Sequence, residues 1–281
     1  MKLLASLLLF MFSSLLFGGV VVAESLNQKH PFSGRNKLFV FGDSYVDIGN
    51  TKPDGTGAWA VPYGITYPGK PSGRFSDGHI STDFLAQLLR IKLPVTYAKK
   101  DDADKTRLQY GMSFAYGGTG VFDTYANYPN MTAQINLFEQ LLGNVYSPSD
   151  LSSSVALVSV AGNDYITFIL ANRKDPAKLL GFKTFISQVV NQTELNLRKI
   201  HTLGVKKIAI PSLTPLWYIP KIANSSLIIK VIVQDLVEFH NVCADPKSAF
   251  FWDGIHPTQE GWKAVYKVLR HNITAALMPK A

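Results

Sequence analysis

The sequence predicts an α/β fold in which a parallel sheet is covered by helices on both faces. Three observations carry that reading. Apolar, β-favouring runs at Leu38–Phe41, Val155–Val160 and Lys206–Pro211 read as strands. Helical stripes separate them: Ile80, Phe84, Leu88 and Ile91 fall on one face of one helix, and Phe182, Ile186, Val189, Leu197 and Ile200 trace another. The first two strands also stop at polar clusters, Gly42-Asp43-Ser44 and Gly162-Asn163-Asp164, and an open α/β sheet places its chemistry at the carboxyl ends of its strands.

Taken in order, the chain begins with Lys2 and an apolar run from Leu3 to Ala23, closing on Val21-Val22-Ala23 before the polar Glu24-Ser25. This pattern is that of a cleaved secretory signal over residues 1–23, leaving 24–281 as a single domain in an extracellular setting. The run is also long enough for an uncleaved membrane anchor, the alternative that the small-residue ending disfavours. No later segment has a comparable apolar run, so the mature chain is expected to be soluble, without stable membrane insertion.

The strand at Leu38–Phe41 delivers the Ser44 hydroxyl to its carboxyl end; taken alone, Gly-Asp-Ser is equally an ordinary turn. Thr51 to Gly78 is rich in Gly and Pro and reads as a surface loop over the strand ends. Asp77 or Ser81 is the expected cap of the helix that follows, Pro94 ends that helix, and Val95 to Ala98 reads as a short strand. Lys99 to Arg107 is charged and expected to be solvated. Gly111 to Gly120 concentrates residues without a β-carbon, as a loop must if its N–H groups approach a ligand, although a flexible turn has the same composition.

Ala133 to Leu142 is the next expected helix, closed by Gly143. After the strand at Val155–Val160, the Phe182 to Ile200 stripe runs to Gly204, a fitting residue just past a helix end. Leu227 to Phe239 is rich in β-branched residues, yet its length favours a helix. Ala249 to Trp252 then leads into Asp253-Gly254-Ile255-His256-Pro257, and Thr258 is the expected cap of a final helix reaching Leu269.

The 281 residues show no repeat or low-complexity stretch, and the net charge of +8 is spread along the chain. That charge argues weakly for attraction to acidic surfaces such as wall polymers or anionic lipid, and against nucleic acid as a partner. Asn130, Asn191, Asn224 and Asn272 each open an Asn-x-Ser/Thr sequon, usable if the chain enters the secretory pathway. The single cysteine, Cys243, has no internal disulfide partner and is expected to be buried and inert.

A serine hydroxyl becomes a useful nucleophile only when a base takes its proton, and a neutral imidazole needs a carboxylate to fix its tautomer. Asp253 and His256 lie close enough in one loop to act as such a unit for Ser44. Phe41-Gly42-Asp43-Ser44-Tyr45-Val46-Asp47-Ile48-Gly49-Asn50 resembles the nucleophile block of the plant-type GDSL esterase/lipase family, within the SGNH hydrolases, with Tyr45 where the family name has leucine. Ser113-Phe114-Ala115-Tyr116-Gly117-Gly118 resembles its glycine block, with Ser113 where asparagine is usual. Gly162-Asn163-Asp164 resembles its asparagine block, Phe251-Trp252-Asp253-Gly254-Ile255-His256-Pro257-Thr258 its terminal block, and Pro71 to Gly78 a plant-type marker.

The resemblance implies a three-layer α/β/α, flavodoxin-like fold and hydrolysis of carboxylic esters, with no cofactor and no metal. It implies Ser44 as nucleophile, His256 as general base and then acid, and Asp253 as the residue that orients His256. The oxyanion hole it implies is the N–H of Ser44, the N–H of Gly117 with Gly118 the less favoured alternative, and the Asn163 side-chain amide. No Gly-x-Ser-x-Gly surrounds any serine, which argues against the nucleophile-elbow hydrolases.

The pattern departs from the family at one place. Family members carry several tens more residues between the parts matching His240-Asn241 and Asp245-Pro246, where this chain has only Val242, Cys243 and Ala244. One strand–helix unit near the C-terminus is therefore expected to be missing, together with the partner that Cys243 would have had. Two readings follow: a secreted serine esterase acting on acyl lipids or acetylated polymers, and an inactive or poorly folded truncated variant of the same family.

Overall fold

Strand β1 (Leu38–Gly42) is buried along its whole length at the centre of a five-stranded parallel sheet. The computed structural model describes residues 37–160, 162–211 and 242–277, all within the unit Pro31–Ala281. The expected leader, the sequon at Asn224 and the expected helix at Leu227–Phe239 lie outside the described residues. After β1 come α1 (Ser81–Leu88), β2 (Val95–Thr96), α2 (Lys105–Leu108), β3 (Gly111–Ser113), α3 (Met131–Glu139), α4 (Pro148–Ser152) and β4 (Val155–Ser159). They are followed by α5 (Gly162–Asn172), α6 (Pro176–Leu179), α7 (Phe182–Thr202), β5 (Lys207–Ala209) and α8 (Gln259–Leu277).

The strand order is β2-β3-β1-β4-β5, with Leu38 in register with both Gly111 and Val155. Because β3 and β4 flank β1 on opposite sides, the loops after three adjacent strands open into one crevice, the usual ligand position of an open α/β sheet. Among the described residues no strand follows β5.

The period of two along β1 builds both halves of the core. Phe39 and Phe41 turn to one face, where they meet Phe114, Met131, Ile135, Phe138 and Tyr146, with Ile200 of α7 in the same cluster. Leu38 and Val40 turn to the other face, against Leu85 and Leu89 at α1 and Leu277 of α8. This is the predicted helix–sheet–helix layering. Fully burying each such side chain contributes about 1.5–3 kcal/mol, so the four apolar β1 residues, all 0% exposed, carry a substantial share of that drive.

Three expectations are corrected. Gly111 to Gly120 is not a loop throughout: Gly111–Ser113 is strand β3, paired to β1 on one side and β2 on the other. Three residues are too few to show a period, and Gly111 is required because a β-carbon there would stand 2.1 Å from the Leu38 carbonyl oxygen. The cap of α1 is neither Asp77 nor Ser81 but Ile80, whose N–H donates to Asp83 Oδ2 at 2.9 Å. Cys243 is partly exposed rather than buried, and it is free. Thr258 does cap α8, its hydroxyl accepting the Gly261 N–H at 2.9 Å.

Candidate active site

The end of β1 explains why the chain turns where it does. Gly42 has φ 131°, and a β-carbon there would lie 1.9 Å from the Ser159 carbonyl oxygen, so only glycine fits between β1 and β4. Its N–H and C=O are both satisfied by the buried Gln134 side chain, at 2.7 and 3.0 Å. Asp43 continues the pairing to β4 through its N–H to Ser159 O, and Val46 and Asp47 N–H both return to Asp43 O. Ser44 is thereby fixed on a tight turn, 7% exposed.

His256, 8% exposed, reaches Ser44 from a residue 212 positions away. Its Nε2 lies 2.9 Å from Ser44 Oγ, and its Nδ1 lies 2.8 Å from Asp253 Oδ2. A carboxylate at Nδ1 favours the tautomer with its proton there, which leaves the Nε2 lone pair facing the serine hydroxyl. Asp253 is itself pinned: Oδ1 accepts the N–H of Ile255 and of His256, each at 2.7 Å. Burial pushes its carboxyl up, but the His256 charge and these hydrogen bonds outweigh burial and hold it below the usual carboxylate range.

Residues 38–269 match the family model described as GDSL-like lipase/acylhydrolase. The chain belongs to this family. Two GDSL esterases/lipases of Arabidopsis thaliana are 45% and 43% identical to it, over 99% and 98% of this chain and 98% of each relative. An acetylajmalan esterase of Rauvolfia serpentina is 29% identical over 66% of this chain and 55% of its own length. Like its family, the chain is a carboxylic ester hydrolase acting on small-molecule esters. The first Arabidopsis alignment spans 357 positions against 281 residues here, so at least 357 − 281 = 76 of those positions face a gap in this chain.

The glycine block of this GDSL chain is arranged differently from the expectation. The Gly117 N–H does not face a substrate oxygen; it donates to the buried Asp47 Oδ2 at 2.9 Å. Asp47 Oδ1 takes the N–H of Gly49 and Asn50, so one carboxylate ties the nucleophile block to the glycine block. Neither Gly118 N–H nor Ser44 N–H has an acceptor among the described residues, which leaves both available to a ligand. Asn163 donates one amide proton to Thr119 O at 2.9 Å, an orientation that frees the other.

Asn163 is the second residue of α5, so the polar cluster after β4 is the first turn of a helix; its neighbour Asp164 is buried and accepts the N–H of Val121 and Phe122, each at 2.9 Å. The two carboxylates beside the serine are shifted the other way from Asp253. Burial pushes Asp43 up to about 7 against the Tyr45 N–H and the Ser159 hydroxyl. It pushes Asp47 up to about 6 against the N–H groups of Asn50, Gly49 and Gly117.

The terminal block of the GDSL chain is held by the first third of the sequence. Tyr63 donates to Asp253 Oδ2 at 2.8 Å, Tyr45 to Ile255 O at 2.9 Å, and Ser76 to Pro257 O at 3.0 Å. Gln259 N–H donates to Asp77 Oδ1 at 2.8 Å, and His79 N–H to Gln259 Oε1 at 3.0 Å. The plant-type marker is thus a clasp on the His256 loop, and it is anchored by the buried Arg74–Asp83 pair at 2.9 and 3.0 Å. Sequence reading missed the roles of Tyr63 and Gln134, and of Asp47 toward Gly117, because each acts on a residue far away in the chain with which it shares no local pattern.

The sequons differ in setting. Asn130 caps α3 through Ala133 N–H and donates to Asp123, whereas Asn191 and Asn272 are exposed on α7 and α8. Among the described residues no helix is long and apolar enough to cross a membrane.

Proposed function

We propose that this GDSL-family hydrolase is a secreted serine esterase that works through an acyl-enzyme. The observation that carries the reading is the continuous relay from Ser44 Oγ through His256 to Asp253, at 2.9 and 2.8 Å. Ser44 attacks the ester carbonyl as His256 Nε2 takes its proton. The resulting oxyanion is held by the N–H of Ser44, the free amide proton of Asn163 and, in place of Gly117, the N–H of Gly118. His256 then returns the proton to the leaving alcohol, and water, activated by the same imidazole, releases the acid and restores Ser44.

The substrates we assign are acyl lipids or acetylated polymers, and the proposed extracellular setting rests on the 1–23 leader and the sequons. Purified chain should hydrolyse a short-chain nitrophenyl ester and Ser44→Ala should abolish that activity; activity unchanged by the substitution would sink the mechanism. N-terminal sequencing of protein recovered from the medium should begin near Glu24, and retention of residues 1–23 would remove the secretory part.

The second reading, an inactive truncated variant, draws on the gap of at least 76 positions against a full-length relative. The clasp on the terminal block speaks for the first, since Tyr45, Tyr63, Ser76 and Asp77 hold the block in addition to the Cys243 N–H to Trp252 O bond that the shortened stretch supplies. Absence of both cooperative unfolding and Ser44-dependent turnover would favour the second.

A further inference from the structure

The Asp253 carboxylate takes four hydrogen bonds, and three of them come from its own loop. The fourth is the Tyr63 hydroxyl, which donates to Oδ2, the same oxygen that His256 Nδ1 faces. Tyr63 lies in the Thr51–Gly78 loop, 190 residues away in sequence. Its ring is fixed edge-on to Trp252, with centroids 5.9 Å apart, and to Phe75, at 6.5 Å. Phe75 in turn lies over His256, at 5.2 Å. The hydroxyl therefore has little freedom to leave Oδ2 without disturbing the rings that flank the imidazole.

We infer that Tyr63 is a positioning residue of the hydrolytic site: its hydroxyl holds Asp253 Oδ2 and shares its charge, so the loop over the site sets how firmly Asp253 grips His256. The inference rests on the esterase reading and goes beyond it, since Tyr63 touches neither the serine nor the imidazole nitrogens. Two donors on one oxygen divide its accepting capacity. With Tyr63 in place, Asp253 orients the imidazole and binds its protonated form less tightly than an unshared carboxylate does. Burial, and then the Asp253 charge, push the Tyr63 hydroxyl well above its ordinary value, so it stays a donor over the working range. Two other titratable groups face the site: Tyr45, whose hydroxyl is committed to Ile255 O, lies within reach of the Asp253 charge, and the buried Asp43 lies within reach of His256.

The test is Tyr63→Phe, which removes one oxygen and keeps the ring. The expected result is a fall in kcat of about tenfold, the scale of one hydrogen bond to a charged group, with KM little changed. The acid limb of the kcat/KM profile should move to higher pH, because the unshared carboxylate retains the imidazolium proton longer. In the proton NMR spectrum the downfield His256 Nδ1–H resonance should move further downfield, as Oδ2 now serves one donor. A ring-fluorinated tyrosine in place of Tyr63, a stronger donor of nearly the same size, should move limb and resonance the opposite way, and it serves if the Phe variant does not fold.

A lowered melting temperature with the pH limb and the resonance unchanged would overturn the inference, because that is what a purely structural contact gives. The NMR readout separates the two claims. If wild-type protein shows no Ser44-dependent turnover while the resonance still responds to Tyr63, the esterase reading fails and the positioning contact stands.

Discussion

Ser44 sits on a turn held chiefly by the sheet and its backbone, whereas His256 sits on a loop held by side chains from distant segments. The Ser44 turn continues the β1–β4 pairing through Asp43 N–H and closes on its own backbone, with Gln134 filling the polar groups of Gly42. The His256 loop has its own Trp252 N–H to His256 O bond, the Asp253 Oδ1 bonds to Ile255 and His256 N–H, and the Cys243 N–H to Trp252 O bond, and the side chains of Tyr45, Tyr63, Ser76 and Asp77 hold it from a distance. The difference teaches where each half is vulnerable. The serine is lost only with the sheet, but the histidine can be displaced while the sheet survives. It also explains how a chain shorter than its relatives by tens of residues keeps the two within 2.9 Å.

The largest effect should come from Gly42→Ala. The added methyl would stand 1.9 Å from Ser159 O at a φ of 131°, so the β1–β4 pairing itself must give. The expected loss is more than about 4 kcal/mol, in the exceptional range for one substitution, read as a collapsed or absent unfolding transition. A fully folded variant with normal melting would show that the turn is not held by the sheet.

Asp77→Ala should break the comparison from the other side. It removes the acceptor of Gln259 N–H and leaves β1 and its neighbours untouched. If the His256 loop shifts by about 1 Å, turnover should fall by about a hundredfold while the cooperative transition persists. Equal losses of turnover and of folded protein would mean that loop and sheet are one unit.

How much of this was legible follows the same division. The turn at Ser44 could be read from sequence because Leu38 to Phe41 is an apolar run stopped by Gly-Asp-Ser, a local signal. Asp253 and His256 could be read because they share a block. Strand β3 could not, since Gly111, Met112 and Ser113 are too few to show a period. Nor could the partner of the Gly117 N–H, because adjacent glycines differ only in where the backbone points their N–H groups, and it is Gly117 whose N–H reaches Asp47. Tyr63 was hidden for a different reason: its contact spans 190 residues and depends on how a Gly/Pro-rich loop folds back.

Asp47→Asn sharpens the link between the two strand-end loops. The amide keeps the size of the carboxylate but can turn an N–H toward Gly117, so the strap across the nucleophile and glycine blocks weakens. If Gly118 supplies an oxyanion donor, its displacement should slow kcat by up to about a hundredfold, the scale of losing one such donor. Ser44 should stay in place, as judged by an unchanged stoichiometry of labelling with a serine-directed phosphonate. Loss of labelling would place the damage at the nucleophile instead.

The pH dependence of stability sets the two regions most directly against each other. Asp43, beside Ser44, is pushed from 3.8 up to about 7, so between those values the folded chain binds more protons than the unfolded chain. Its stabilising contribution is present below about pH 3.8 and is lost as pH rises through about 7. Asp253, in the His256 loop, is held below 3.8, so its contribution is present above that value and is lost on further acidification. The serine side should therefore loosen toward neutral pH and the histidine side toward strong acid. Melting temperature measured against pH should fall on both sides of a mildly acidic maximum. Asp43→Asn should make the neutral side shallower, with Asp47 keeping part of its slope, and leave the acid side, whereas Asp253→Asn should make the acid side shallower, with Asp83 keeping part of its slope, and leave the neutral side. If both variants changed the same side, the two halves would share one electrostatic environment, and the division drawn from their hydrogen bonds would be wrong.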